Sequence, residues 1–348
     1  MRISRLFRMS FLTVVLVIFL MTYAISSLAE VKDFRWGTSA DGSTGQRALL
    51  ALTTILDREM EDYNFNVLPM PGAVHTIKEY AMEQVDGMYG ADVAFYELAN
   101  NSDRFEGFDS YIERQPVQSF WGFTVEVGLS IHANNMDKYK EWRDLSGEAV
   151  FTGPAAWDVR AALRRPLEVL NVGHKYVEID LGIVASSLGA GHVAAFNSYT
   201  SGGGANISPW IMETELATDI AVLNPSEEEI KILKDAGIEV IEVSPDVYET
   251  DVHTDVIKLV PFFYGFHTGP EVISEEEMYQ MLMIIEENAD ELAELDPGFR
   301  QIKQDMVDLQ VRGVRATIDF VPVHPGLAKF LKEKGVWNSE WDDRIYQP

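Results

Sequence analysis

Short apolar runs alternate along the chain with stretches in which apolar positions recur every three or four residues. That alternation is the pattern of an α/β protein. Apolar runs fall at Phe34–Gly37, Phe65–Pro69, Ala91–Tyr96, Ala149–Thr152, Val193–Phe196, Ile220–Leu223 and Ile238–Val243, and each predicts a strand. Helical patterns between them cover Arg47–Glu59, Val74–Gln84, Val159–Leu170, Pro209–Leu216 and Ser226–Asp235. Ser226-Glu227-Glu228-Glu229 has the spacing of a capping box, and Gly237 suits a helix stop. Ser274-Glu275-Glu276-Glu277 repeats that start before Met278–Asn288.

Two segments break the alternation. Ser119–His132 and Val256–His267 are aromatic, β-rich and 14 and 12 residues long, with no helix close behind. An ordinary strand takes about 5–6 residues. A strand that leaves one sheet and enters another needs the extra length. This divides the chain into a discontinuous lobe, Glu30–Glu126 plus Asp251–Pro348, around an inserted lobe, Val127–Thr250. Two long core strands in a single domain are the other reading. Gly202-Gly203-Gly204 stands out as the one flexible spot.

Residues 1–29 form a different kind of segment. Arg2, Arg5 and Arg8 precede the apolar stretch Phe11–Ile25, and Ser27-Leu28-Ala29 supplies a small-x-small ending. The apolar stretch is shorter than the roughly 18–20 residues of a permanent span. The expectation is an export signal cleaved after Ala29, a periplasmic protein and no stable membrane insertion. There is no cysteine, so the exported fold relies on its core and has no thiol chemistry. The formal charge of −27 repels nucleic acid and anionic membranes, which argues against both as partners.

Catalytic and metal motifs are absent. His75, His132, His174, His192, His253, His267 and His324 are scattered without a metal-binding spacing. No HExxH, EF-hand, P-loop or nucleophile elbow occurs, and Gly189-Ala190-Gly191 is an incomplete dinucleotide fingerprint. The chain is read as a non-enzyme without cofactor or metal. What remains is a set of polar turns that each follow a strand and open a helix: Ser39–Gly45, Met70–Thr76 and Gly153–Asp158. Backbone N–H groups at such turns suit an anion, and in open sheets they gather at one crevice. Arg160 is the candidate to pair with an acid group there, or else a solvated surface arginine. Trp157 is a candidate wall of the site, or a residue packed between lobes.

The segment Val323-His324-Pro325-Gly326-Leu327-Ala328-Lys329-Phe330-Leu331-Lys332-Glu333-Lys334-Gly335 resembles the His-Pro-Gly ending of TAXI-type solute-binding proteins of TRAP transporters. Gly42-Ser43-Thr44 is similar to that family's Gly-Gly-Thr turn, Gly72-Ala73-Val74 to its Gly-Ser-Val, and Gly90–Phe95 to its Gly-x-Ala-Asp-Leu-Ala strand. Asp144–Val150 resembles its Asp-Leu-Lys-Gly-Lys-x-Val. The matches run in order from about Phe34 to Trp337. Departures fall at the ligand turns: Gly45-Gln46 replaces two aromatics, Ala73 and Thr76 replace Ser and Asn, and Ala156-Trp157-Asp158 replaces Ser-Gly-Thr.

The resemblance implies a type II periplasmic-binding-protein fold, with two α/β lobes of mixed sheet flanked by helices and joined by two hinge strands. It also implies capture of a small carboxylate or amino acid and delivery to TRAP membrane permease subunits. The expected ligand-binding residues are the backbone at Ser43, Thr44, Ala73 and Val74, with Ser39, Tyr96, Trp121, Trp157, Arg160, Asn197 and Tyr199. Core packing is the other reading for the aromatics, and Asn197-Ser198-Tyr199 is expected to end its strand at the cleft. An alternative enclosure of Trp121, Trp157, Trp210, Phe263, Tyr264 and Asp158 would suit a cationic or zwitterionic amine. A solute sensor docking on a receptor is the third reading.

Overall fold

The computed structural model of the protein describes residues 31–347, so the export segment expected over residues 1–29 lies outside the described residues. Strand β1 (Lys32–Thr38) pairs in parallel with β2 (Tyr63–Pro69). Helix α1 (Thr44–Glu59) makes the crossover that parallel pairing requires. Helix α2 (Ala73–Ala81) leads to β3 (Met88–Ala91) and α3 (Asp92–Ala99). Then follow β4 (Trp121–His132), β5 (Ala149–Phe151), α4 (Asp158–Val169), β6 (Lys175–Tyr176), α5 (Val184–Gly189), β7 (Ala195–Ser201) and β8 (Asn206–Ile207). Next come α6 (Pro209–Ala217), β9 (Ile220–Leu223), α7 (Glu227–Asp235), β10 (Ile241–Val243) and β11 (Ile257–His267). Helices α8 (Glu275–Glu287), α9 (Ala289–Leu295), α10 (Arg300–Thr317) and α11 (Pro325–Glu333) end the chain. The fold is α/β, with mixed sheet flanked by helices.

The two long strands are used half by half. β4 pairs antiparallel with β11 over Trp121–Val127, then with β9 over Leu129–His132, while β7 runs along Val125–Ile131. β11 pairs with β10 over Ile257–Leu259, with β4 over Val260–Gly265, and with β3 over Tyr264–His267. Each strand thus changes partners near its middle, at Val127 and Val260, which accounts for its length. Both are buried almost throughout.

Local chemistry explains the helix ends. Ser226 Oγ accepts the Glu229 N–H while the Glu229 carboxylate accepts the Ser226 N–H, and Ser274 and Glu277 do the same for α8. Glu229 has a second role, accepting the N–H groups of Trp142 and Arg143. The His-Pro-Gly segment is a helix start as well. His324 Nδ1 accepts the Gly326 N–H at 3.0 Å, and Nε2 donates to the Ile273 carbonyl at 2.9 Å, tying α11 to α8. Gly326 is required there, because a Cβ would sit 2.6 Å from the Glu275 carbonyl oxygen.

Three expectations are corrected. Ala91–Tyr96 is not a strand: β3 stops at Ala91 and α3 begins at Asp92. The Asp92 carboxylate accepts the Val93 N–H at 2.6 Å and the Phe263 N–H at 3.1 Å, which starts a helix and anchors it to β11. The run Val193–Phe196 marks the wrong half of its strand, since β7 continues to Ser201. Its polar residues are tolerated inside because they find partners, as in the 2.6 Å contact between the hydroxyls of Ser130 and Ser198. Gly202-Gly203-Gly204 is held rather than free. All three have positive φ, and the N–H groups of Gly203 and Gly204 donate to the buried Glu126 carboxylate at 3.0 and 3.2 Å. Glu126 also accepts from the Thr124 and Thr200 hydroxyls.

Candidate functional site

Four helix N-termini meet at one cavity of about 100 Å³. Ser43, Thr44 and Gly45 come from the start of α1, and Gly72 and Ala73 from α2. Trp157, Asp158 and Val159 come from α4, and Ser208 from the cap of α6. The first N–H groups of a helix have no intrahelical partner. Ser43 Oγ accepts the Gln46 N–H at the start of α1, but no side chain caps α2, α4 or α6. The positive ends of these helices therefore face a common space, which favours negative charge.

Aromatic and apolar side chains form the walls. Tyr89 of β3 and Tyr264 of β11 stack with ring centres 4.5 Å apart, and Trp157, Tyr199 and Val125 line the rest. Burial pushes the phenols of Tyr89 and Tyr264 well above their ordinary range, so both remain neutral donors. Gly45 lies against the Tyr89 ring: a Cβ there would come within 2.5 Å of Ser39 Oγ and 2.6 Å of the ring. The resemblance leads one to expect aromatics on α1 itself; here β3 supplies the ring and α1 yields the room.

Asp158 is the one carboxylate among the lining residues, and both of its oxygens are engaged. Arg104 Nη1 donates to Oδ1 at 2.6 Å, and the Tyr264 hydroxyl donates to Oδ2 at 2.7 Å. Arg104 also holds the buried Glu97 through Nε at 2.6 Å, and Arg164 of α4 reaches Asp103 at 2.6 Å. Arginines and carboxylates thus link α3 and the short turn Asp103–Phe105 to α4 beside the cavity.

Of the residues singled out from sequence, Ser39, Ser43, Thr44, Ala73, Trp157 and Tyr199 are brought together at this cavity, and the others lie outside it. Val74 turns its side chain into the core, leaving its backbone in the first turn of α2. Tyr96 sits on α3 rather than at a strand end, 44% exposed and edge-on to Phe320. Trp121 is wholly buried against Gly313 of α10, with its indole N–H on Gln118 at 3.1 Å. Arg160 lays its guanidinium over the Tyr176 ring at 4.1 Å, where burial lowers its pKa. Asn197 stands in mid-strand, and its Nδ2 donates to the carbonyls of Thr152 and Val159, fixing the turn between β5 and α4.

Of the aromatic enclosure for an amine, Trp157, Tyr264 and Asp158 line the cavity, and the rest does not join them. Trp121, Trp210 and Phe263 are outside the cavity, with Trp210 beneath Tyr199 and donating to its hydroxyl at 3.0 Å. Sequence reasoning missed Tyr89, Val125, Ser201 and Ser208, and it missed Arg104 as the partner of Asp158. The pairing register of β3 on β11 brings Tyr89 beside Tyr264, and no local pattern carries that information. Among the described residues no group of three His, Asp or Glu side chains is placed to hold a metal ion.

A profile of the NMT1-like family matches residues 50–335. No curated protein matches the sequence. Among solved structures, the periplasmic aliphatic sulphonate binding protein SsuA of Escherichia coli is 12% identical over 91% of this chain and 98% of its own, with a TM-score of 0.45. The probable amino-acid ABC transporter extracellular-binding protein ytmK of Bacillus subtilis is 12% identical over 78% and 99%, with a TM-score of 0.46. A putative L-cystine ABC transporter protein of Listeria monocytogenes is 12% identical over 78% and 97%, with a TM-score of 0.42. At such scores these likenesses carry no inference about the solute bound here.

Proposed function

The chain belongs to the NMT1-like family, and from that premise we propose that it is an extracytoplasmic solute-binding protein that captures a small organic solute by an anionic head. The observation that carries this reading is the meeting of four helix N-termini, three without side-chain caps, at a cavity lined by no lysine, arginine or histidine. Backbone N–H groups would hold the head, as they do for anions at helix starts generally. The neutral Tyr89 would add a hydroxyl donor. On this reading the solute is released unchanged.

Residues 30–126 plus 251–348 form one lobe on this reading, and residues 127–250 the other. β4 and β11 would be the hinge strands: β4 changes partners at the 126/127 boundary, and β11 changes partners at Val260, past the 250/251 boundary. Closing the lobes would bring α1 and α2 against α4 and α6. Delivery to a TRAP-type secondary transporter rests on the TAXI-like segments. His324 and Gly326, within the most specific of them, build a helix start away from the cavity, so that segment speaks for the fold and not for the ligand.

Native mass spectrometry of freshly purified protein, followed by calorimetric titration of organic acids and amino acids, tests the binding reading. A carried-over acid and a rise in melting temperature on adding it are expected. No heat and no stabilisation with any acid would overturn it. Uptake into vesicles carrying a TRAP permease should run on an ion gradient, and an ATP requirement would sink that assignment alone.

A further inference from the structure

The size and charge of the cavity narrow the ligand further, on the binding-protein reading given above. A 150 Å³ cavity holds benzene, and this one measures about 100 Å³. The space therefore suits a small solute. Val125, Val159 and Trp157 give it an apolar end. Arg160, the candidate to pair with an acid group, is turned away over Tyr176. A second carboxylate on the ligand would have to be buried without a counter-charge, which is strongly unfavourable. An ammonium group would meet Asp158, both of whose oxygens are already engaged by Arg104 and Tyr264.

Tyr89 offers the cavity a hydroxyl. Tyr89 is 4% exposed, and its hydroxyl bonds to no described residue, while its ring carbon Cζ lies beside the first turn of α1, within 2.7 Å of where a Cβ on Gly45 would stand. A carboxylate seated on the starts of α1 and α2 would give that hydroxyl an acceptor. We propose that the solute is a short-chain monocarboxylate. Its head lies against the N–H groups of α1 and α2 and the Tyr89 hydroxyl, and its tail against Trp157, Val125 and Val159.

Titration of the purified protein with butyrate, isobutyrate, succinate, glutarate and isobutylamine tests this. Butyrate or isobutyrate should bind at least ~30-fold more tightly than either dicarboxylate, and isobutylamine should not bind, as expected for an uncompensated buried charge. Tyr89→Phe should weaken the monocarboxylate roughly 5- to 10-fold at unchanged melting temperature, the loss of one hydrogen bond to a charged group. Equal or tighter binding of succinate or glutarate, or an unchanged affinity in Tyr89→Phe, would overturn the proposal and leave the binding-protein reading standing. Failure of every acid would overturn both.

Discussion

Single side chains decide the shape of the cavity. Gly45 is the clearest, because Ser39 and Tyr89 already occupy the space around its Cα. Gly45→Ala should cost about 1–3 kcal/mol in urea denaturation, the usual penalty for forcing a methyl into packed surroundings. It should also weaken solute binding by displacing Tyr89. His324 carries a second prediction. Burial pushes its pKa down to about 4 from 6.5, so the unfolded chain binds the extra proton first. Stability from this group is complete above about pH 6.5 and is lost as pH falls towards 4, by roughly 3 kcal/mol. Asp92 acts in the opposite sense, since burial raises it to about 7 and stability from it falls as pH rises from 3.8 to 7. Comparing melting temperatures of the protein and His324→Asn from pH 7 to 4 isolates the histidine; parallel curves would refute the assignment.

Elements were legible where their signals are local. The two capping boxes, the long strands and the polar turns after β1, β2 and β5 all stand in the sequence as short patterns. The boundary between β3 and α3 was hidden, because an apolar run does not show whether Asp92 will cap a helix or sit in a loop. Tyr89, Tyr264, Asp158 and Arg104 come from four separate elements, and only tertiary pairing unites them. The Arg104–Asp158 pair belongs to this scale. Arg104→Gln leaves a buried carboxylate uncompensated, and loss of one partner of such a pair costs about 3–5 kcal/mol. The expected outcome is a lower melting temperature together with weaker monocarboxylate binding. Adding Asp158→Asn should restore part of both, because Glu97 still lacks its Arg104 partner, and a double variant no better than the single would contradict the pairing.

Across the whole molecule, the sheet runs without a break from β10 to β6 through β11 and β4. No helix among the described residues is long and apolar enough to cross a membrane. On the two-lobe proposal, saturating solute should shrink the radius of gyration in solution X-ray scattering. A liganded molecule as extended as the free one would count against hinge closure. The half-by-half pairing of β4 and β11 has a mechanical consequence. A joint made of unbroken hydrogen-bonded ladder is a flexure, not a bearing: it bends without sliding surfaces and resists in proportion to the bend. On the two-lobe proposal such a joint would have a resting angle of its own and spring back to it, so the strain of closure would itself help to eject the cargo.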